Sequence, residues 1–98
     1  MEKEEENEKP TAFDISSLDT LILLRLFVNI LGEKAWENMG LRMKPGTQEV
    51  EKDMLKAKTA INTIQFILNE LEPSLEDGER KSLRNLLADL QLNYVTQR

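Results

Sequence analysis

The chain has 98 residues, enough for one domain, and its 40% hydrophobic content is typical of a globular rather than a disordered protein. It contains neither cysteine nor histidine, which excludes a disulfide framework, thiolate chemistry and the commonest general base and metal ligand. The net charge of −5 argues against nucleic acid as a partner, because such a surface repels a phosphate backbone on average.

The first residues form an acidic segment with little apolar surface to bury. We therefore predict a disordered acidic tail over residues 1–13 and a single helical domain over residues 14–98. The tail has the opposite charge to a secretory leader, and the apolar run at 21–31 is shorter than the ~20 residues needed to cross a bilayer. We expect a soluble, cytoplasmic protein without a membrane partner. The tail is either a solubilising extension or a binding segment for a basic partner.

The first helix is predicted at about 15–39, with Asp14 or Ser17 as its N-cap and Gly40 as its end. Nine of the eleven residues from 21 to 31 are apolar. Only Arg25 and Asn29 interrupt them, one turn apart on a narrow stripe. A helix that is apolar over most of its circumference must be covered on several sides.

The second helix is predicted between a Pro45-Gly46 turn and Pro73, with Thr47 as its N-cap. Its apolar residues are spaced alternately four and three apart, which is typical of a heptad seam. The seam comprises Val50, Met54, Ala57, Ile61, Ile64, Leu68 and Leu71.

The third helix follows a short connection at residues 73–75 and has one apolar face, made by Leu83, Leu86, Leu87, Leu90 and Tyr94. A short connection between long helices predicts an antiparallel hairpin. The predicted fold class is therefore all-α: a three-helix domain in which a very apolar first helix packs on a long antiparallel helical hairpin.

Several passages carry more specific signals than helical periodicity. They are Leu31-Gly32-Glu33, Ala35-Trp36, Met39-Gly40-Leu41, Pro45-Gly46-Thr47, Val50-Glu51-Lys52-Asp53 and the closing Leu86-Leu87, Leu90, Leu92 and Tyr94-Val95. With these passages the chain, from about residue 18 to residue 97, resembles a small bacterial family, domain of unknown function 1844. Gly78 departs from the pattern at the start of the third helix. The resemblance implies an all-helical bacterial domain, and it supplies no activity, catalytic residue or ligand.

Two features of the first helix each allow two interpretations. The Arg25 and Asn29 stripe is either a solvent edge, with Arg25 paired to Glu33 or to a neighbouring helix, or a polar contact that sets the register of a dimer. Trp36 is either a core residue or a hot spot for a partner. Elsewhere, Arg80, Lys81 and Arg84 are expected to form a solvated face, and the acidic residues around positions 70–79 lack the spacing of a calcium loop.

The leading functional hypothesis is a non-catalytic structural or protein-interaction module that forms a homodimer through its first helix. The candidate interface residues are Leu21, Leu24, Arg25, Val28, Asn29 and Trp36. An unidentified protein partner is a further possibility, and no enzyme activity, cofactor or metal is expected. The alternative is a small-ligand binder or an unrecognised enzyme that uses an apolar pocket between the helices.

Overall fold

A computed structural model describes residues 15–98. Within this range the chain forms three long helices, α1 (Thr20–Asn38), α2 (Met54–Leu71) and α3 (Asp77–Gln97), with a short 3-10 helix at Glu72–Ser74. The described residues contain no β-strand, only an isolated bridge between Met39 and Lys52. The predicted all-α class is confirmed. The predicted tail and the candidate cap Asp14 lie outside the described residues.

Both ends of α1 follow from local hydrogen bonding. Asp19 is the N-cap, and its carboxylate accepts a hydrogen bond from the Leu21 N–H at 2.9 Å. At the other end Gly40 adopts a φ of 79°, which a residue without Cβ tolerates best. The Gly40 N–H donates to the Glu37 carbonyl and the Leu41 N–H to the Trp36 carbonyl, the bonding pattern of a Schellman motif. The predicted end at Gly40 is confirmed, whereas the helix begins later than predicted.

The start of α2 was predicted wrongly. Its N-cap is Asp53, whose carboxylate accepts from the Lys56 N–H at 3.1 Å. Thr47 instead closes a local turn, where its hydroxyl donates to the Lys44 carbonyl and accepts from the Glu49 N–H. Residues 39–53 are therefore a connection, and Val50, predicted to open the seam, is 56% exposed within it.

The helices run alternately up and down. The Asp53 N–H donates to the carbonyl of the last residue of α1 at 2.7 Å, so α2 begins beside the end of α1. Phe27 in the first half of α1 shares a cleft with Ile67 near the end of α2, so the two helices are antiparallel neighbours. The short connection at residues 72–76 reverses the chain again into α3. Arg25 contacts Glu79, and Gly32 lies against Leu86, each pair 54 positions apart along the chain. This constant offset shows that α1 and α3 run parallel and in one register.

The core is built mainly from α2. Seven α2 residues are buried, and they include most of the predicted seam: Ala57, Ala60, Ile61, Ile64, Ile67, Leu68 and Leu71. From α1 only Val28, Gly32, Ala35 and Glu37 are buried. The helix with the most apolar stretch therefore leaves much of that stretch uncovered by the described part of its own chain. None of the helices described is long and apolar enough to cross a membrane.

Candidate interaction surface

Large apolar side chains lie exposed on one side of the α1–α2 pair. On α1, Phe27 and Ile30 are 41% and 47% exposed, and on α2, Leu55 and Phe66 are 74% and 65% exposed. Soluble monomers rarely expose contiguous apolar surface of this kind, which is typical of interaction sites. We define the apolar face as Phe27, Ile30 and Leu31 of α1 together with Leu55, Thr63, Phe66 and Ile67 of α2.

Two adjoining clefts run along the apolar face, and both are lined only by residues of α1 and α2. The first lies between Phe27, Ile30, Leu31, Thr63 and Ile67. The second continues from Leu31 and Thr63 toward the far end of the pair. It is bordered there by Lys34, Asn38, Leu55, Lys56, Thr59 and Ala60. The shared residues make the two clefts one continuous groove, with Thr63 near its middle.

Helical spacing explains why these side chains share a surface. Phe27 and Ile30 are three residues apart on α1, and Thr59, Thr63 and Phe66 are four and three apart on α2. Residues at these intervals lie on one side of a helix. The core side of each helix is occupied by Val28 or by the α2 seam, so the exposed members of the apolar face lie outside that core. Ile67, which is buried, and Leu31, which packs against the core, join the apolar face to it.

Charged residues of opposite sign lie toward the two ends of α2. Lys34 and Lys56 line one end of the groove, with Lys34 paired to Glu37 at 3.2 Å and Lys56 to Asp53 at 3.9 Å. Glu70 lies exposed near the other end of α2. Within residues 15–98 Glu70 makes no ion pair. The α2 helix thus carries Lys56 near its start, where it lines the groove, and Glu70 near its end.

The opposite side of α1 is joined to α3 by an ion pair. Arg25 Nε donates to Glu79 Oε2 at 2.6 Å, and Arg25 Nη2 donates to Glu79 Oε1 at 3.3 Å. The hydrogen bond to Glu79 raises the pKa of the Arg25 guanidinium above its ordinary value, against a smaller opposing effect of burial. The prediction that Arg25 pairs with Glu33 or with a neighbouring helix is confirmed for the neighbouring helix. Glu33 instead pairs with Arg42.

Four charged residues around the α2–α3 connection form a local network of ion pairs. Arg80 binds Glu72 at 2.9 Å and Asp77 at 2.7 Å, and it also donates to the Leu75 carbonyl. Arg84 binds the same Glu72 carboxylate. The basic residues predicted to be a solvated face are therefore largely engaged in a local network. In the described part of the chain no group of three or more His, Cys, Asp or Glu side chains could hold a metal ion.

The six interface residues predicted from the sequence divide into two groups. Val28 is fully buried in the core of its own chain, so it has no exposed surface to offer a partner. Leu24 and Trp36 pack against the same core, and Arg25 pairs with α3.

The other two predicted residues are exposed: Leu21, and Asn29, whose amide donates to the Arg25 carbonyl at 3.1 Å. An interface that uses this set stays a prediction. The predicted interface set left out Phe27, Ile30, Leu55 and Phe66. Leu55 and Phe66 could have been singled out as large apolar residues outside the α2 seam.

A smaller cleft lies between α2 and α3. Ile61 forms its buried part, and Lys58, Asn62, Gln91, Tyr94 and Val95 surround the opening. It combines an apolar floor with several polar groups, as small-molecule sites do, although most of its lining is exposed.

Comparison with known proteins gives a family and no activity. A family model described as Domain of unknown function (DUF1844) matches residues 22–96, which cover nearly all of the three long helices. No curated protein matches the chain, and no solved structure does. The match covers well over half of the chain and confirms the resemblance inferred from its sequence motifs. The chain therefore belongs to the DUF1844 family of domains of unknown function.

Proposed function

We propose that this protein is a non-catalytic interaction module that self-associates through the apolar face of α1 and α2. One observation carries the proposal: in the structure of residues 15–98, Phe27, Ile30, Leu55 and Phe66 are between 41% and 74% exposed. The α2–α3 connection supports it, because Arg80 and Arg84 there are engaged with Glu72 and Asp77.

The size of the apolar face is compatible with stable pairing. At roughly 200 Å² per phenylalanine side chain, the exposed parts of Phe27 and Phe66 together leave about 200 Å² accessible on each copy. A symmetric pair buries this area twice, a gross gain of about 10 kcal/mol at ~25 cal/mol per Å². Association costs about 4–15 kcal/mol, so burial of Ile30, Leu55 and their neighbours is needed as well.

Light scattering on a size-exclusion column tests the proposal. The full chain, loaded over a range of concentrations, is expected to elute with a mass of about 23 kDa, twice its 11.3 kDa. Dissociation on dilution, with a mass that falls toward one chain, would give the affinity. A mass of one chain at every concentration, up to hundreds of micromolar, would overturn self-association as the function.

A second candidate function, small-ligand binding, rests on the cleft between α2 and α3. Thermal-shift screening against metabolites tests it, because a ligand that binds only the folded chain raises the melting temperature by mass action. A ligand from the screen is assigned to this cleft if Tyr94→Ala removes the rise in melting temperature. Lys81→Ala, at an exposed residue away from the cleft, should leave that rise unchanged. The apolar face favours self-association as the leading function.

A further inference from the structure

Two opposite charges on α2 are placed symmetrically about Thr63. Lys56 lies seven residues before Thr63, and Glu70 lies seven residues after it. Seven residues are close to two helical turns, so all three side chains lie on one stripe of the helix. Thr63 itself lines both clefts of the groove and is exposed.

This arrangement is complementary to itself only in one orientation. When two α2 helices lie antiparallel with Thr63 at the crossing, Lys56 of each copy faces Glu70 of the other. In a parallel arrangement Lys56 would face Lys56, and Glu70 would face Glu70, which is unfavourable. A two-fold interface brings the same patch of both copies together, so each favourable contact occurs twice.

From this symmetry we propose that the self-association described above is an antiparallel pairing of α2 with α2 of a second copy, centred on Thr63. The proposal rests on self-association as the function and adds the orientation and the contacts. The groove between α1 and α2 then faces the same groove of the other copy, and Phe27, Ile30 and Phe66 become covered. The occupant of the apolar face is thus a second copy of this chain.

The charges concerned are available for such pairing. Lys56 has a side chain that is 74% exposed, and its contact with Asp53 is long at 3.9 Å. Exposed pairs of this kind contribute little to stability, so exchanging the partner costs little. Glu70 has no competing ion pair within residues 15–98. Both groups can therefore turn toward a second copy without loss of a strong contact.

A cysteine placed at the crossing tests the geometry directly, because the natural chain has no cysteine to interfere. In the full-length Thr63→Cys variant the two thiols lie near the two-fold axis, where a disulfide can form across Cβ atoms about 4 Å apart. Under mild oxidation we expect most of the protein to become a covalent dimer on a non-reducing gel. Ser82→Cys, another exposed position, on α3, is the control and is expected to stay largely uncoupled.

Charge exchange provides an independent measurement. Lys56→Glu and Glu70→Lys are each expected to weaken dimerisation about tenfold, since each creates two like-charge contacts in the symmetric pair. The double variant restores both contacts with their signs exchanged, so its dissociation constant should return to within about threefold of the natural one. A parallel pairing or an unrelated interface predicts no such restoration.

The outcomes separate this inference from the function on which it rests. Suppose that the natural chain has a dimeric mass, but that Thr63→Cys forms disulfides no faster than Ser82→Cys and the double charge variant does not regain affinity. These results would overturn the antiparallel geometry and leave self-association intact. A natural chain of monomeric mass at all concentrations would overturn both. Dimeric mass, selective coupling at Thr63 and restored affinity together would support both.

Discussion

Arg25 in the first half of α1 and Glu79 at the start of α3 are joined by two hydrogen bonds, of 2.6 and 3.3 Å, between guanidinium and carboxylate. The pair fixes α1 and α3 in parallel register together with the packing of Gly32 against Leu86 farther along the same two helices. A charged residue within the most apolar stretch is thereby explained by the neighbouring helix of its own chain. Paired guanidinium and carboxylate groups of this geometry are among the stronger charged contacts in proteins.

Breaking this ion pair is expected to destabilise the fold moderately. Arg25→Met keeps an apolar side chain on α1 but removes the hydrogen-bond donors. The melting temperature of this variant should therefore fall, but by less than when a fully buried core side chain is truncated. In a double-mutant cycle with Glu79→Gln the two changes should be less than additive. The coupling energy between Arg25 and Glu79 should shrink at about 1 M salt, where the Debye length is about 3 Å.

Arg42→Met, which breaks the more exposed pair with Glu33, is the control. An equal loss in both arginine variants would contradict a special role for Arg25.

Val28→Ala is expected to lower the free energy of unfolding by about 2 kcal/mol, because it removes two buried methyl groups and leaves a small cavity. Val28 is fully covered in the core, whereas Ile22 on the same helix is 50% exposed. Ile22→Ala should therefore cost clearly less. Urea unfolding at several protein concentrations measures the loss in both variants. A change in dimerisation alters how the free energy of unfolding depends on protein concentration, and a change in the core does not. A Val28→Ala loss that disappears at low concentration would mean that Val28 serves the interface.

Replacement by alanine should have opposite effects on stability at Gly32, within α1, and at Gly40, which follows the end of α1. A Cβ added at Gly32 would lie 3.6 Å from Leu86 Cδ2, an ordinary contact, so Gly32→Ala should stabilise the helix by up to about 1 kcal/mol. At Gly40 the φ of 79° disfavours any L side chain, and the added Cβ would also approach the Lys52 Cβ at 3.4 Å. Gly40→Ala should cost about 1–2 kcal/mol. Thermal unfolding of both variants provides the test. Destabilisation by Gly32→Ala would show that the α1–α3 contact is closer than the structure indicates.

The sequence predicted α2 and its buried side well, because Ala57, Ile61, Ile64 and Leu68 repeat at strict heptad spacing. It could not predict which side of α1 would be buried. A stretch that is apolar nearly all round gives no preferred direction, so only packing against α2 and α3 determines that Val28 is covered and Phe27 is not. The buried side was therefore hardest to infer for α1, the most apolar helix.

The candidate surface depends even more on tertiary structure. Phe66 was identifiable as apolar. That Thr63, three residues before it, lines a cleft with α1 follows from the antiparallel pairing of α1 and α2. The ion pair between Arg25 and Glu79 likewise joins residues 54 positions apart, which no local pattern indicates. By contrast, the end of α1 at Gly40 was predictable, because a glycine with positive φ is a local requirement of the helix terminus.

The start of α2 provides a last prediction, because Thr47 and Asp53 are both residue types that favour an N-cap. The structure assigns the cap to Asp53, whose carboxylate accepts from the Lys56 N–H and whose own N–H donates to the Asn38 carbonyl. Asp53→Ala should therefore lower the free energy of unfolding by about 1 kcal/mol, and Asp53→Asn, which retains an acceptor, by much less.

Thr47→Ala removes only the hydrogen bonds of an exposed turn and should stay within about 0.5 kcal/mol of the natural chain. Urea unfolding ranks the three variants. A larger loss at Thr47 than at Asp53 would move the start of α2 back to the position inferred from the sequence. That outcome would also return Val50 to the helix, because a helix beginning at residue 48 carries it in the first turn.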